Sequence, residues 1–190
     1  MAFLKFFRGT RPDFSEPALG LYRAAVAAAR TPLFYAVYNV PDTPDGRFDM
    51  IALYVFLTLR RLKREPNPTR SDAVMLAQAL TDLMFADMDR NLREMGVGDL
   101  GVGKQVKALA AAFRGRAEAY DAALERPEGD PGLAAALGRN LWRGSTQTAG
   151  KNVGILALYV RATDAALAIQ PWSAVAAGNI AFPPPPDAPN

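Results

Sequence analysis

Apolar residues recur every three or four positions along most of this chain, which is the spacing of amphipathic α-helices. The pattern predicts a first helix that begins near Ser15 and ends near Thr31, because Pro32 disfavours helical backbone in the residue before it. Residues 33–40 are apolar and aromatic, and they fit either a short helix or a strand-like link. Residues 40–46 combine proline, aspartate and glycine, which predicts a turn.

The segment from Arg47 to Lys63 is apolar around most of a helix circumference, which predicts a central, buried helix. A long helix is expected to follow, from a cap at Thr69 or Ser71 to Met95. Gly96 then stands where a left-handed cap commonly ends a helix. The same periodicity predicts further helices over residues 102–124, 133–141 and 153–169.

These elements together predict an all-α protein: a single irregular bundle of about six helices with a proline-rich C-terminal tail. The predicted divisions are an N-terminal arm (1–14), a helical domain (15–172) and an extended tail (173–190). The prolines at 183–186 favour an extended, solvated tail. The aromatic and basic arm is expected either to lie on the core or to contact a membrane surface.

Composition excludes several kinds of chemistry. The chain of 190 residues has no histidine and no cysteine, so zinc sites, thiolate nucleophiles and imidazole catalysis are excluded. The net charge of +3 is too small to indicate direct DNA binding. The longest apolar run, Met50 to Leu59, has about half the length of a spanning helix, and no export signal is recognisable. We therefore expect a soluble protein.

A cluster of glycines, from Gly96 to Gly103, resembles two nucleotide-binding motifs. The first is a Gly-x-Gly-x-x-Gly match that begins at Gly96, and the second is a phosphate-loop match that ends at Lys104. Both motifs require a preceding strand, whereas the preceding residues are helical in pattern. The phosphate-loop match also has Gln105 where a magnesium-binding Ser or Thr should stand. We interpret the glycines as a bend between two packed helices.

The acidic residues before this bend leave two interpretations open: a carboxylate magnesium site, or ion pairs on a solvated face, which we favour. Spacing predicts pairs of Asp89 with Arg93 and of Arg90 with Glu94. We predict no catalytic residue, no bound metal and no cofactor. The methionines of this helix fit either core packing or a surface that adapts to an apolar partner: Met75, Met84, Met88 and Met95.

Several longer motifs carry a family resemblance. They are Leu33-Phe-Tyr, Val40-Pro-Asp-Thr-Pro-Asp-Gly-Arg-Phe-Asp49, Leu57-x-Leu-Arg-Arg-Leu62, Met84-Phe-x-Asp-Met-Asp-Arg-x-Leu-Arg-Glu-Met-Gly-Val-Gly-Asp99, Phe113-x-Gly-Arg116 and Tyr120. Over roughly residues 19–170 the chain resembles the ubiquinol–cytochrome c chaperone family. One departure is Tyr54, where many members of that family have histidine.

The resemblance implies an assembly factor and not an enzyme, in a bacterial member of the family. The mitochondrial members of the family bind newly made cytochrome b together with a small co-chaperone, associate with the ribosome, and support assembly of the ubiquinol–cytochrome c oxidoreductase. The implied location is the cytoplasm or, through peripheral contact, the cytoplasmic face of the inner membrane.

Two alternative functions stay open. One is a ligand carrier or enzyme that acts on a quinone-like or nucleotide ligand through the glycine-rich loop. The other is an adaptor that binds ribosome or RNA through Arg60 to Arg70.

Charged residues in and near these motifs are the candidates for partner binding. Each either contacts a partner or forms ion pairs within the bundle. The basic end of the predicted central helix also fits favourable cations at a helix C-terminus. The predicted partner-binding residues are Asp42, Arg47, Arg60, Arg61, Asp87, Asp89, Arg93, Asp99, Lys104 and Arg116.

Overall fold

The computed structural model describes residues 13–67, 69–145 and 150–187, and within these ranges no residue belongs to a β-strand. The helices are α1 (Ser15–Ala29), α2 (Pro32–Ala36), α3 (Pro44–Lys63), α4 (Arg70–Glu94), α5 (Asp99–Leu124), α6 (Gly132–Leu141), α7 (Asn152–Ala168) and α8 (Trp172–Ala176). Among them, six have ten or more residues. The prediction of an all-α bundle is confirmed. The predicted contacts of arm residues 1–12 lie outside the described residues.

Helix α3 occupies the centre of the bundle, as its apolar circumference predicts. Fifteen of its twenty residues are buried, and it contacts α1, α4, α5, α6 and α7. The helix begins three residues earlier than the sequence pattern indicated, at Pro44. The hydroxyl of Thr43 accepts a hydrogen bond from the Gly46 amide at 3.1 Å, and proline is well suited to the first helical turn. The predicted turn at residues 40–46 is therefore partly a capped helix start.

Three glycines allow backbone segments to approach closely. A Cβ atom on Gly46 would overlap the carbonyl oxygen of Pro41, so only glycine lets the loop before α3 lie against its first turn. A Cβ on Gly20, in α1, would come within 2.6 Å of the Gly178 carbonyl oxygen. Gly178 itself has φ +85°, and its own Cβ would meet the Pro17 carbonyl oxygen at 2.7 Å. These contacts join the first long helix to the C-terminal segment.

The glycine cluster forms the bend between α4 and α5. Gly96 has φ +83°, and its amide donates to the Arg93 carbonyl at 2.9 Å. The Val97 amide donates to the Leu92 carbonyl at 3.1 Å, and these two bonds are those of a Schellman cap. Helix α5 then begins at Asp99. The element before the glycines is a helix, so the strand that both nucleotide-binding motifs require is absent here.

The C-terminal segment is extended, as predicted, but it lies against the bundle and not in solvent. Residues 172–176 first form the short helix α8, which the sequence pattern did not indicate. Residues 179–187, which we call the C-terminal strap, then cross the bundle. The Phe182 ring lies 4.9 Å from the Tyr54 ring, and the Tyr159 hydroxyl donates to the Pro183 carbonyl at 2.8 Å. Apolar side chains and carbonyl acceptors of the strap thus cover tyrosines that would otherwise be exposed.

Candidate partner-binding cleft

A cleft with a volume of about 820 Å³ lies between α3, α4 and α5. It is bounded by the first turns of α3, the last turns of α4, one face of α5 and Arg143, which follows α6. Its apolar lining consists mainly of Phe48, Ile51, Met88, Leu92, Met95 and Leu109. Its charged lining carries both signs and includes Arg30, Asp42, Asp45, Arg47, Glu94 and Arg143. The cleft therefore combines an apolar surface with acidic and basic groups.

Helical spacing brings these apolar residues to one place. Met88, Leu92 and Met95 recur at three- and four-residue intervals at the end of α4, so they share one face of that helix. Met88 is only 7% exposed, whereas Met95 is 63% exposed. The methionines thus extend from the core to the outside of the cleft. Methionine side chains are flexible and polarisable, and they adapt to apolar partners of different shapes.

Asp49 is the buried charged group of the cleft, with an exposed fraction of 1%. The Arg116 Nη2 atom lies 2.6 Å from its Oδ1, and the Arg143 Nη2 atom lies 3.6 Å from its Oδ2. These are ion pairs without the geometry of hydrogen bonds, so both carboxylate oxygens lack a hydrogen-bond donor within the described residues. Burial raises the pKa of Asp49 to about 6, although the two arginines act in the opposite direction. The carboxylate is therefore poorly compensated.

The two arginines that approach Asp49 are held by other contacts. The guanidinium carbon of Arg116 lies 5.6 Å from the centre of the Phe48 ring, which is a cation–π distance. Arg143 also reaches Asp45, at 3.0 Å. The backbone of Arg143 has φ +52°, a left-handed conformation that costs a residue with a side chain about 1–2 kcal/mol. A glycine would avoid that strain but would lose both ion pairs to the cleft.

Three of the predicted partner-binding residues line the cleft: Asp42, Arg47 and Arg116. Asp42 and Arg47 form an exposed ion pair at 2.6 Å, which lowers the pKa of the Asp42 carboxyl through the hydrogen bond from Arg47. The pair lies beside the capped start of α3, so the turn predicted from the sequence positions it.

Four other predicted residues hold helices together near the bend. Asp87 accepts a hydrogen bond from the Tyr22 hydroxyl at 2.9 Å and so links α4 to α1. Burial is the main cause that raises the pKa of Tyr22, and this hydrogen bond is the second. Arg93 pairs with Asp89 at 2.6 Å and also with Asp99 at the start of α5. The predicted Asp89–Arg93 pair is confirmed, and it extends across the glycine bend.

The other spacing-based pair, Arg90 with Glu94, is not formed in the described part of the chain. Lys104 is exposed on α5 and has no ion pair with any residue that the structure describes. Within the described ranges, no group of three or more acidic side chains is arranged to hold a metal ion. The acidic residues around the bend are spread between α4 and α5.

Arg60 and Arg61 do not belong to an exposed basic patch. Arg60 is 7% exposed and pairs with Asp121, with Glu125 at 2.7 Å and with Asp164 at 3.2 Å. Arg61 pairs with Glu65 and donates to the Gln170 carbonyl at 2.7 Å. Helices α5 and α7 therefore cover the end of α3 that the sequence pattern left open to solvent. Because Arg60 and Arg61 are engaged in these pairs, they are not free to bind RNA as the alternative based on Arg60 to Arg70 requires.

Sequence reasoning missed Asp49 and Arg143 as cleft residues. An aspartate inside an otherwise apolar helical segment is a signal for a buried acid, and Asp49 carried that signal. Arg143 carried none, because its role depends on a left-handed backbone that arginine rarely adopts. Phe48 and Leu109 fall in segments that the sequence predicted as helical, but periodicity cannot distinguish a core position from the wall of a cleft.

The fold and the cleft define a class: all-α bundle proteins with a partly apolar cleft beside a helix–helix bend. The pattern of the ubiquinol-cytochrome C chaperone family matches residues 36–182. This chain belongs to that family. Among the described residues, no helix is long and apolar enough to cross a membrane.

Two relatives extend this assignment. The crystal structure of the Cbp3 homolog from Brucella abortus is similar, with a TM-score of 0.76 and 41% identity over 89% of this chain and 90% of that one. Ubiquinol-cytochrome c reductase complex assembly factor 1 of Drosophila melanogaster is 25% identical over 123 residues, which is 64% of this chain. The match covers 47% of the Drosophila protein, so the chain spans about half the length of that relative.

Proposed function

We propose that this protein is an assembly chaperone of the ubiquinol–cytochrome c oxidoreductase and that it binds newly made cytochrome b. The description of the family and the name of the Drosophila relative support a role in the assembly of this complex. A family of chaperones also favours a binding protein over an enzyme. The observation that carries the proposal for the client is the cleft, with its apolar lining and its edge of mixed charge.

Cytochrome b has transmembrane helices, which expose long apolar surfaces before they enter the membrane. A groove between helices can receive one apolar helix face, with anchoring side chains spaced by one helical turn. The methionines at the end of α4 suit such a surface because they adapt to different sequences. The charged residues around the cleft would select the orientation of the bound segment more than they would add affinity.

We further propose roles for the partner-binding residues. Asp42, Arg47 and Arg116 would contact the client, because they line the cleft. The residues of the bend would position α4 against α5: Asp87, Asp89, Arg93 and Asp99. Arg60 and Arg61 would act indirectly by fixing α3. A small co-chaperone, the ribosome and peripheral membrane contact complete the proposed set of partners, and Lys104 is available to one of them.

The client proposal is tested by a charge placed in the cleft. A strain without the chromosomal gene would express the wild-type protein, Met95→Glu or Leu158→Glu. Met95 lines the cleft, whereas Leu158 lies on α7 with a similar exposed fraction, 59% against 63%. We expect Met95→Glu to lower the b-haem absorbance and the immunoblot signal of cytochrome b at least severalfold, and Leu158→Glu to leave both unchanged.

Two outcomes would contradict the proposal. Normal cytochrome b and normal quinol oxidation in the deletion strain would rule out the chaperone function itself. If Met95→Glu and Leu158→Glu lowered cytochrome b equally, at equal amounts of soluble variant protein, the cleft would not be the site that binds cytochrome b.

A further inference from the structure

The solvent-facing side of α5 carries a row of basic residues, and the first acid on that side, Glu118, follows one turn after Arg114. Between Asp99 and Glu118 the helix contains four cations and no acid: Lys104, Lys107, Arg114 and Arg116. Arg116 faces the cleft. The other three recur at intervals of three and seven residues, so they lie on one face of the helix. This face is opposite to the core residues Val102, Phe113 and Tyr120.

These three cations are exposed, and none forms an ion pair with a residue in the described ranges. Most other basic residues near the bend and at the end of α3 are paired, as Arg93, Arg60 and Arg61 are. The α5 surface is therefore a local excess of positive charge on a chain whose net charge is only +3. Such a surface attracts an anionic partner, and salt would weaken the attraction.

An apolar residue begins the same face. Leu100 lies four residues before Lys104 and is 97% exposed, the largest exposed fraction among the exposed large apolar side chains of the described residues. Four-residue spacing puts it in line with the basic residues. A fully exposed leucine gains free energy when it leaves water. The face thus combines one apolar side chain with a row of cations.

We propose that this α5 face, formed by Leu100, Lys104, Lys107 and Arg114, binds the surface of an anionic lipid bilayer. Basic residues near a negatively charged leaflet are attracted to it, while Leu100 enters the boundary between headgroups and acyl chains. Charge alone would equally suit RNA or an acidic protein segment. The exposed leucine at the end of the basic row favours a lipid surface, because RNA offers a phosphate backbone and stacked bases but no apolar layer.

This inference deepens the proposed membrane contact by naming the surface that makes it. The α5 face is separate from the cleft, since Gln105, Ala108 and Ala112 line the cleft from a different side of the helix. The protein would therefore hold its client in one place and contact the bilayer at another. A failure of membrane binding and a failure of client binding can be measured independently.

The test is sedimentation of the full-length protein with phosphatidylcholine vesicles that contain either no anionic lipid or about a third phosphatidylglycerol. The first variant carries Lys104→Glu, Lys107→Glu and Arg114→Glu. A control with the same change of charge carries Arg23→Glu, Arg139→Glu and Lys151→Glu, which are exposed on other faces. Leu100→Ser is compared with Ile169→Ser, since Ile169 is 84% exposed at the end of α7.

We expect the wild-type protein to bind only the anionic vesicles. Each cation near such a surface contributes about fivefold to partitioning, so the α5 triple variant should bind at least about 100-fold more weakly. The control triple variant should lose much less. Leu100→Ser should reduce binding about tenfold and Ile169→Ser should not, because only Leu100 would leave water on binding.

A third triple variant separates α5 from the N-terminal arm: Lys5→Glu, Arg8→Glu and Arg11→Glu. If this variant loses binding while the α5 variant retains it, the α5 proposal is overturned and the membrane contact belongs to the arm. Equal losses for the α5 and control triple variants would also overturn it. No vesicle binding by the wild-type protein, with or without binding to single-stranded RNA, would reject both the surface and the membrane contact. Cytochrome b levels in a strain that expresses the α5 variant are measured separately, so that a loss of vesicle binding is distinguished from a loss of client binding.

Discussion

At the scale of single residues, Asp49 shows how burial opposes the ionised state of a side chain. Its carboxylate lies beside two arginines, yet its pKa is raised to about 6 because burial outweighs their attraction. Ionised groups inside a protein need hydrogen bonds as well as opposite charges, and Asp49 has no hydrogen bond from the described residues. The cleft therefore contains an acid whose charged form destabilises the fold.

Replacement of Asp49 by asparagine should remove a specific pH dependence of stability. In the wild-type protein the pKa rises on folding from 3.8 to about 6. The stabilising effect of the bound proton is complete below the unfolded pKa and is lost as the pH rises through the folded one. From about pH 4 to about pH 7, the free energy of unfolding of the wild type should therefore fall relative to Asp49→Asn, by up to about 3 kcal/mol.

Urea unfolding of both proteins across this pH range measures the difference. Asp45→Asn is the comparison variant, because Asp45 shares Arg143 but has a side chain that is 71% exposed, and its charge is one of the causes that raise the pKa of Asp49. Because this variant retains Asp49, its stability should keep most of the wild-type pH dependence, which Asp49→Asn should lose. A constant difference between wild type and Asp49→Asn at all pH values would contradict the assigned pKa.

Local residue rules were reliable only in part, since the Arg90–Glu94 pair, predicted by the same spacing as the Asp89–Arg93 pair, is not formed among the described residues. The cap at Gly96 and the Asp89–Arg93 pair both depend on residues within one or two helical turns, and both are confirmed. Arg60 and Arg61 show the limit of such rules. Their spacing fits either an exposed patch or capping cations, and only the positions of α5 and α7 decide that they are buried.

At the scale of elements, the end of α3 is joined to two other helices by ion pairs. Arg60 contacts carboxylates on α5 and α7 or just after α5, and Arg64 pairs with Asp164 at 2.7 Å. Lys63 pairs with Asp121 at 2.9 Å but remains 65% exposed. Buried and exposed members of one network should differ strongly in their contribution to stability.

Arg60→Met should therefore destabilise the protein by about 1–3 kcal/mol, since it leaves the nearly buried Asp164 with Arg64 as its remaining cation. Lys63→Met should cost less than about 1 kcal/mol, because that pair is solvated. Chemical denaturation at neutral pH compares the two variants directly. Similar small losses for both would show that the Arg60 pairs add little to the packing of α3 against α5 and α7.

The helices themselves could be predicted because each long one repeats its apolar positions over several turns. Helix α8 could not, since five residues are too few to show a period. The start of α3 was misplaced because Pro44 and Gly46 indicate a turn unless the Thr43 cap is recognised. Periodicity thus gives the existence of an element more reliably than its first residue.

At the scale of the whole molecule, the C-terminal strap closes an aromatic cluster. The Tyr54 and Tyr159 hydroxyls lie 2.8 Å apart, and the Phe34 ring lies 6.1 Å from Tyr54 and 6.0 Å from Tyr159. Burial raises the pKa of both tyrosines. Phe182 covers this cluster with its ring edge-on to Tyr54. The strap is therefore part of the folded core's boundary.

Phe182→Ala should lower the free energy of unfolding by about 1–3 kcal/mol, less than for a fully buried phenylalanine, because Phe182 is half-buried. It should also increase binding of a hydrophobic dye, since the tyrosines become accessible. Pro184→Ala, at an exposed position of the strap, should change neither measurement. An unchanged unfolding midpoint and dye signal for Phe182→Ala would mean that the strap does not protect the cluster.

The arrangement of the whole molecule is what the sequence revealed least. The cleft brings together Arg30, Asp49, Met95 and Arg143, which are far apart in the chain and share no motif. Prolines made the strap extended, but they gave no sign that Tyr38 and Tyr159 would donate hydrogen bonds to it. Such contacts depend on how helices cross, and helix periodicity does not specify the crossing.

The close approach of Gly20 to Gly178 has a consequence for biosynthesis. Helix α1 is synthesised well before the backbone that fits against its glycine. One flank of this helix therefore stays uncovered until the chain through Gly178 has left the ribosomal exit tunnel.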